Sequence, residues 1–116
     1  MPTMNEPAFL ALSDRVLAAI GAALDRAIDG DDADLDWSEN DGVLTIDCGE
    51  GGRVIVNRHL PNREIWVAGR AGGHHFALED GRWLDTRSKA ELGAELSRIL
   101  ALQAGVGVAV EALPVA

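Results

Sequence analysis

The chain has 116 residues, 47% of them apolar, with a mean hydropathy of +0.04 and a formal net charge of −9. That length supports one hydrophobic core rather than two, and the composition belongs to a soluble globular chain, neither disordered nor membrane-spanning. The charge is lopsided: residues 1–50 hold twelve acids and two bases, residues 51–116 seven acids and eight bases, a potential that repels nucleic acid and anionic lipid and attracts cations or a basic protein surface.

The opening "MPTMNEPAF" has no basic n-region and no Arg-rich amphipathic start, so no export or transit signal is expected, and residues 1–4 are expected to be loose. Asn5 can cap a helix whose first turn holds Glu6 and Pro7. Phe9, Leu12, Val16, Ile20, Leu24 and Ile28 then recur every three or four residues, the stripe of an amphipathic helix over about 6–28, with Gly30 as its stop. The longest uncharged apolar run, Val16 to Leu24, is far below the roughly 20 residues a membrane span needs. Alanine, the best helix former, dominates Ala18–Ala27.

The period then changes. "DLDWSE" (34–39) alternates, with Leu35 and Trp37 on one face and Asp34, Asp36 and Ser38 on the other. "NDG" (40–42) is a hairpin turn, since its residues tolerate positive φ. Strands are predicted at 43–48, 53–58, 63–69, 74–79 and 82–85, separated by "GEGG", "HLPN", "AGG" and "DG". Cys48 is in phase with Leu44 and Ile46 and reads as a small core residue. Being the single cysteine, it excludes a disulfide framework or an all-cysteine metal site within one chain, and a reducing cytoplasm is the expected compartment. The last third returns to helical spacing: Ser88 and Glu91 form a capping box ahead of Leu92, Leu96, Ile99, Leu100 and Gln103, and Gly105 ends the stripe. Helix, about six short strands, then helix means one α+β domain over 1–116, with both helices on one face of a single antiparallel sheet and the other face in solvent.

No Walker A loop, dinucleotide fingerprint or nucleophile elbow is present. Asp32, Asp34 and Asp36 fit the first, third and fifth positions of an EF-hand loop, but Trp37 and Val43 occupy the sixth and twelfth, where Gly and Glu are required. His74 and His75 are adjacent in a strand, point to opposite faces and cannot chelate together.

What remains is a crowd of acids. "AIDGDDADLDWSEND" (27–41) carries seven carboxylates and no base. Asp14, Asp25 and Asp29 fall along one side of the first helix, and Asp34 and Asp36 share the polar face of the first strand. Most such runs only solubilise a surface. These lie in folded elements and repel one another, so a counter-charge is expected, from a hard cation or a basic partner. On the sheet, Trp66 alternates with Ile65 and Val67 and points to water, flanked by Asn57, Arg58 and Arg63, a composition suited to an interface.

"GVLTI", "VIVNRHLPNREIWVA" and "GGHHFALEDGRWLDTRS" resemble the frataxin family, specifically its bacterial members. The ordered set Asn57, Pro61, Trp66, Gly72–Gly73, Phe76 and Trp83, inside an acidic helix–sheet–helix frame, carries the resemblance from Phe9 to about Val110. It implies a two-layer fold with the C-terminal tail, 106–116, lodged between the helices. It implies an iron-binding accessory and regulatory protein of iron–sulfur cluster assembly that modulates cluster formation, not an enzyme, binding Fe2+ or Fe3+ weakly and reversibly, with other divalent cations as substitutes. The matching carboxylates are Asp25, Asp29, Asp31, Asp32, Asp34 and Asp36. The implied partners are cysteine desulfurase and the iron–sulfur scaffold protein, with Asn57, Arg58 and Trp66 on the contact surface. The expected state is a monomer that iron can drive to oligomers. Two alternatives stay open, a ferroxidase or iron-storage activity at the ridge and a metal-independent acidic adaptor. One departure matters: Gly21–Ala22 stands where relatives often carry a glutamate pair, which shifts the expected ridge to residues 25–36. Trp37 and Ser38 also lie near positions where relatives carry an acid.

Overall fold

A computed structural model describes residues 4–110 and 113–116, with the Asp31 side chain outside the description. The expected loose segment 1–4 therefore lies, Met4 apart, outside the described residues. The elements are α1 (Glu6–Asp31), β1 (Asp36–Asn40), β2 (Val43–Asp47), a short 3-10 turn (Gly49–Gly51), β3 (Arg53–His59), β4 (Glu64–Gly69), β5 (Gly72–Glu79), β6 (Arg82–Asp85) and α2 (Leu92–Ala104). The six strands form one sheet in sequence order, every neighbouring pair antiparallel. This is the predicted helix–meander–helix architecture.

Asn5 caps α1 as expected, its Oδ1 accepting the Ala8 N–H at 2.9 Å. The helix runs through Gly30 to Asp31, past its expected end. Asp32 adopts the left-handed conformation (φ 55°), and the N–H groups of Asp32 and Ala33 both return to the Ala27 carbonyl. A short polar residue tolerates this conformation, so the stop falls at Asp32. By length and composition α1 could cross a membrane, its mean hydropathy reaching 1.5. That apolar content faces the sheet instead: Phe9, Val16, Leu17, Ile20 and Leu24 are fully buried. Each such side chain contributes about 1.5–3 kcal/mol of burial free energy.

Alternation along the strands supplies the opposite wall of the core. Leu44 and Ile46, Val54 and Val56, Ile65 and Val67, and Phe76 face the helices. The turns at Asp41–Gly42 and Asp80–Gly81 each place two consecutive residues at positive φ, the geometry that matches the twist of a two-residue hairpin. α2 differs from expectation at its start. Glu91, not Ser88, is the N-cap, its carboxylate accepting the Gly93 and Ala94 N–H groups at 2.8 and 3.0 Å. Ser88 is instead held in the turn after β6, where its hydroxyl accepts the Ala90 N–H. Past α2, Val108, Val110 and Leu113 are buried in the same core. This tail is tied down by Val110 N–H to Ser97 Oγ (3.3 Å), Trp83 Nε1 to the Pro114 carbonyl (2.8 Å) and Arg15 Nη1 to the Ala116 carbonyl (2.5 Å).

Candidate functional site: an acidic ridge and an aromatic sheet face

The carboxylates of the expected ridge sit where α1 hands over to β1. Asp25 and Asp29 lie on the last two turns of the helix, Asp32 is its cap, Asp34 lies in the connection, and Asp36 opens the strand. All five are exposed, and among the described residues none pairs with a lysine or arginine. Two are partly spoken for within the fold. Asp25 Oδ1 accepts the Trp37 indole N–H at 2.8 Å, and Asp36 Oδ1 accepts the Trp37 backbone N–H at 3.0 Å. Asp14, expected on the same stripe, pairs with Arg58 at 2.5 Å and is neutralised there. Among the described residues no three carboxylates, imidazoles or thiols converge tightly enough to grip one ion together. The chemistry left to the ridge is that of separate, hydrated oxygen donors in a strongly negative field, suited to hard cations or to a basic surface.

The outer face of the sheet carries the second cluster. Asn57, Trp66 and His75 are successive cross-strand partners on β3, β4 and β5. His59 and His75 cover the two faces of the Trp66 indole, with ring centroids 3.8 and 4.0 Å away and planes within 9° and 8° of parallel. The indole N–H donates to Glu64 Oε1 at 2.8 Å, and His75 Nδ1 lies 4.0 Å from the same oxygen. His59 Nδ1 is buried without a partner among the described residues. The tryptophan does point away from the helices, as expected, but both its faces are closed by imidazoles. The stack therefore offers its edges.

Arg58 does not join this face. It pairs with Ile65, in phase with Val54 and Val56, and so lies on the helix side, where it reaches Asp14 and, at 3.8 Å, Asp41. The two-residue period of β3 already carries that information. Arg63 is likewise occupied, bonding the Met4 and Leu60 carbonyls. His59 and His75, the residues that actually flank Trp66, are signalled in the sequence only by strand parity and register.

A third polar cluster links β5, β6 and α2. Asp85, 4% exposed, accepts the Arg87 and Ser88 N–H groups at 2.7 and 3.1 Å and sits 3.0 Å from His74 Nδ1; His74 Nε2 lies 3.8 Å from Glu95, which Arg98 also meets. Burial pushes the Asp85 carboxyl up, but the two backbone N–H donors and the imidazole outweigh it and hold the group below its usual range. Arg98 holds Glu95 low in the same way, against burial. Cys48 is 7% exposed, and burial followed by the Asp47 charge pushes its thiol up, away from reactivity.

Two helices on one face of a six-stranded antiparallel meander, a carboxylate ridge at the α1–β1 junction and an aromatic outer face define an acidic α+β sandwich of the frataxin type. The chain belongs to the frataxin-like family, whose domain model matches residues 2–106. A Ralstonia nicotianae protein named iron-sulfur cluster assembly protein CyaY is 45% identical over 93% of this chain and 96% of its own. The protein of the same name from Ralstonia pickettii is 43% identical over 97% and 99%. Among solved structures, the frataxin of Psychromonas ingrahamii superposes with a TM-score of 0.77 at 29% identity, covering 94% of this chain and all of that one. A trimeric frataxin of Saccharomyces cerevisiae complexed with ferrous iron shares the fold at a TM-score of 0.69, 22% identity and 91% coverage of each chain.

Proposed function

We propose that this protein is a non-enzymatic accessory protein of iron–sulfur cluster assembly that binds iron weakly along Asp25–Asp36 and docks on a cysteine desulfurase and the cluster scaffold in the cytoplasm. The observation that carries the reading is the uncompensated ridge: five exposed aspartates without a basic partner among the described residues. Hard oxygen donors suit iron, and scattered single donors give weak, exchangeable binding that other divalent cations can share. The same charges attract a basic protein surface, and such steering is screened with a Debye length of about 10 Å at 0.1 M salt. Relatives at 41–45% identity carry the name of iron–sulfur cluster assembly proteins, which supports the pathway.

An anaerobic NMR titration with Fe2+, followed by addition of the desulfurase, tests this reading. Iron should shift amides between residues 25 and 36, and the desulfurase should shift the same segment with an affinity that drops with salt. The substitutions Asp29→Asn, Asp32→Asn and Asp34→Asn made together should weaken both. Unchanged desulfurase affinity in that variant would sink the electrostatic docking, and a silent 25–36 segment would sink iron binding.

A further inference from the structure

The seam between α1 and β1 is crossed at two places, and the crossings divide its carboxylates. At the ridge end, Trp37 meets Gly21 and Asp25. At the other end Arg58 of β3 reaches both Asp14 on the helix and Asp41 in the turn that follows β1, its Nη1 2.5 Å from Asp14 Oδ1 and its Nη2 3.8 Å from Asp41 Oδ1. The arginine is seated firmly. Its backbone N–H donates to the Gly42 carbonyl at 3.1 Å, and its side chain lies so close on Gly42 that a Cβ there would collide with Nε, Cζ and Cδ. The Arg58 side chain is 19% exposed, whereas those of Asp14 and Asp41 are 63% and 95% exposed.

Two open carboxylates, one from the helix and one from the turn, are the same kind of hard oxygen donor that the ridge offers. Here a fixed positive charge already stands between them. A guanidinium keeps its proton at every physiological pH and holds carboxylates through charge-assisted bonds. A metal ion approaching Asp14 therefore meets a like charge at contact distance. Along the ridge the situation is reversed: among the described residues Asp25, Asp29, Asp32, Asp34 and Asp36 meet no lysine or arginine. We propose that Arg58 sets the limit of the ridge, a built-in counter-cation that excludes divalent metal from the Asp14–Asp41 end of the seam and confines it to residues 25–36. This rests on the reading of the ridge as a cation-binding surface and names the residue that decides where on the seam cations bind. Arg58 touches no metal in this role. It acts through charge, so neutralising it should create a second locus where the native chain has none.

The probe is Mn2+ added in small amounts to the full chain, read as paramagnetic broadening of amide NMR signals. Asp25 stands about 16 Å along the helix from Asp14, so the two ends of the seam are read apart. In the wild type, broadening should be strong between residues 25 and 36 and weak at Asp14, Asp41 and Gly42. Arg58→Met keeps the apolar stem and removes the charge, and it strands no buried group, because both carboxylate partners are exposed. In that variant the Mn2+ concentration that broadens Asp14, Asp41 and Gly42 should fall at least about threefold, an effect that shrinks with added salt because the charges are exposed. Arg58→Lys should restore the wild-type pattern, which it could not do if only the shape of the guanidinium mattered. Adding Asp14→Asn to Arg58→Met should remove the new locus, whereas Asp14→Asn alone should leave residues 25–36 broadened as before. Wild-type broadening at Asp14 and Asp41 as strong as at 25–36, or no gain there in Arg58→Met, would overturn the proposal and leave the ridge in place. Silence at 25–36 in the wild type would remove the cation-binding reading and the proposal with it.

Discussion

The indole of Trp37 rests on the backbone of Gly21: a Cβ placed on that glycine would lie 2.6 Å from the indole Cη2 and 3.0 and 3.1 Å from two further ring carbons. One helical turn on, Asp25 accepts the indole N–H. The break in the acidic stripe of α1 thus has a structural cause. Where family resemblance leads one to expect side-chain acids, this helix keeps open backbone so that a tryptophan from β1 can lie across it. A departure in the helix and a departure in the first strand are two halves of one contact.

Gly21→Ala is therefore expected to destabilise the protein by about 1–3 kcal/mol through overpacking, although alanine in a helix interior is intrinsically better than glycine by about 1 kcal/mol. In a Trp37→Ala background the obstacle is gone and the same change should stabilise. Urea denaturation of the four proteins in this cycle measures the sign reversal. A glycine-to-alanine effect of the same sign in both backgrounds would show that the ring does not press on Gly21.

The Asp85 and Glu95 carboxyls are both held below their usual ranges in the fold. A carboxyl depressed in the native state binds fewer protons than its unfolded counterpart, so stability rises with pH across that window. The contribution is complete above the unfolded values of about 4 and is lost as pH falls through them towards the folded ones. Thermal melts between pH 6 and pH 3 should show a decline at the acid end that flattens in Asp85→Asn combined with Glu95→Gln. Parallel wild-type and variant curves would remove these two groups from the acid transition.

Gln103 is a strut between α2 and the sheet. Its carboxamide oxygen accepts the Arg70 N–H at 2.8 Å, and its amide donates to the Gly51 and Arg53 carbonyls at 3.0 and 3.3 Å. Gln103→Ala should cost about 0.5–1.5 kcal/mol, the net worth of a hydrogen bond whose partners water can reach. It should also speed hydrogen exchange at Arg70 more than at the centre of β3. Unaltered Arg70 exchange would mean that water replaces the carboxamide without loss.

Periodicity made the meander legible. Alternation separates Val54 and Val56 from Ile55, and paired turn residues at Asp41–Gly42 and Asp80–Gly81 mark two of the hairpins. The ridge was legible as composition, because like charges within one stretch need no tertiary information. What single-residue reading does not carry is partnership across elements. The Asp14–Arg58 pair spans 44 residues and withdraws both from the surfaces expected for them. Ser88 has the chemistry of a helix cap, yet the Asp85 carboxylate claims its N–H and leaves capping to Glu91. Trp66 is exposed by parity, but nothing local says that two histidines from neighbouring strands close over it.

The sheet has two free margins, and they are treated differently. Along β6 the chain folds back on itself, through the Leu84–Glu91 bridge and the Asp85 N–H to the Ala90 carbonyl. Along β1 nothing comparable covers the backbone among the described residues, yet the strand and its approach bear Asp34, Asp36 and Glu39. A bare outer strand invites another chain to pair with it, and a row of like charges deters that. The carboxylates that make the ridge attractive to cations thus also keep one copy's sheet from growing onto the next.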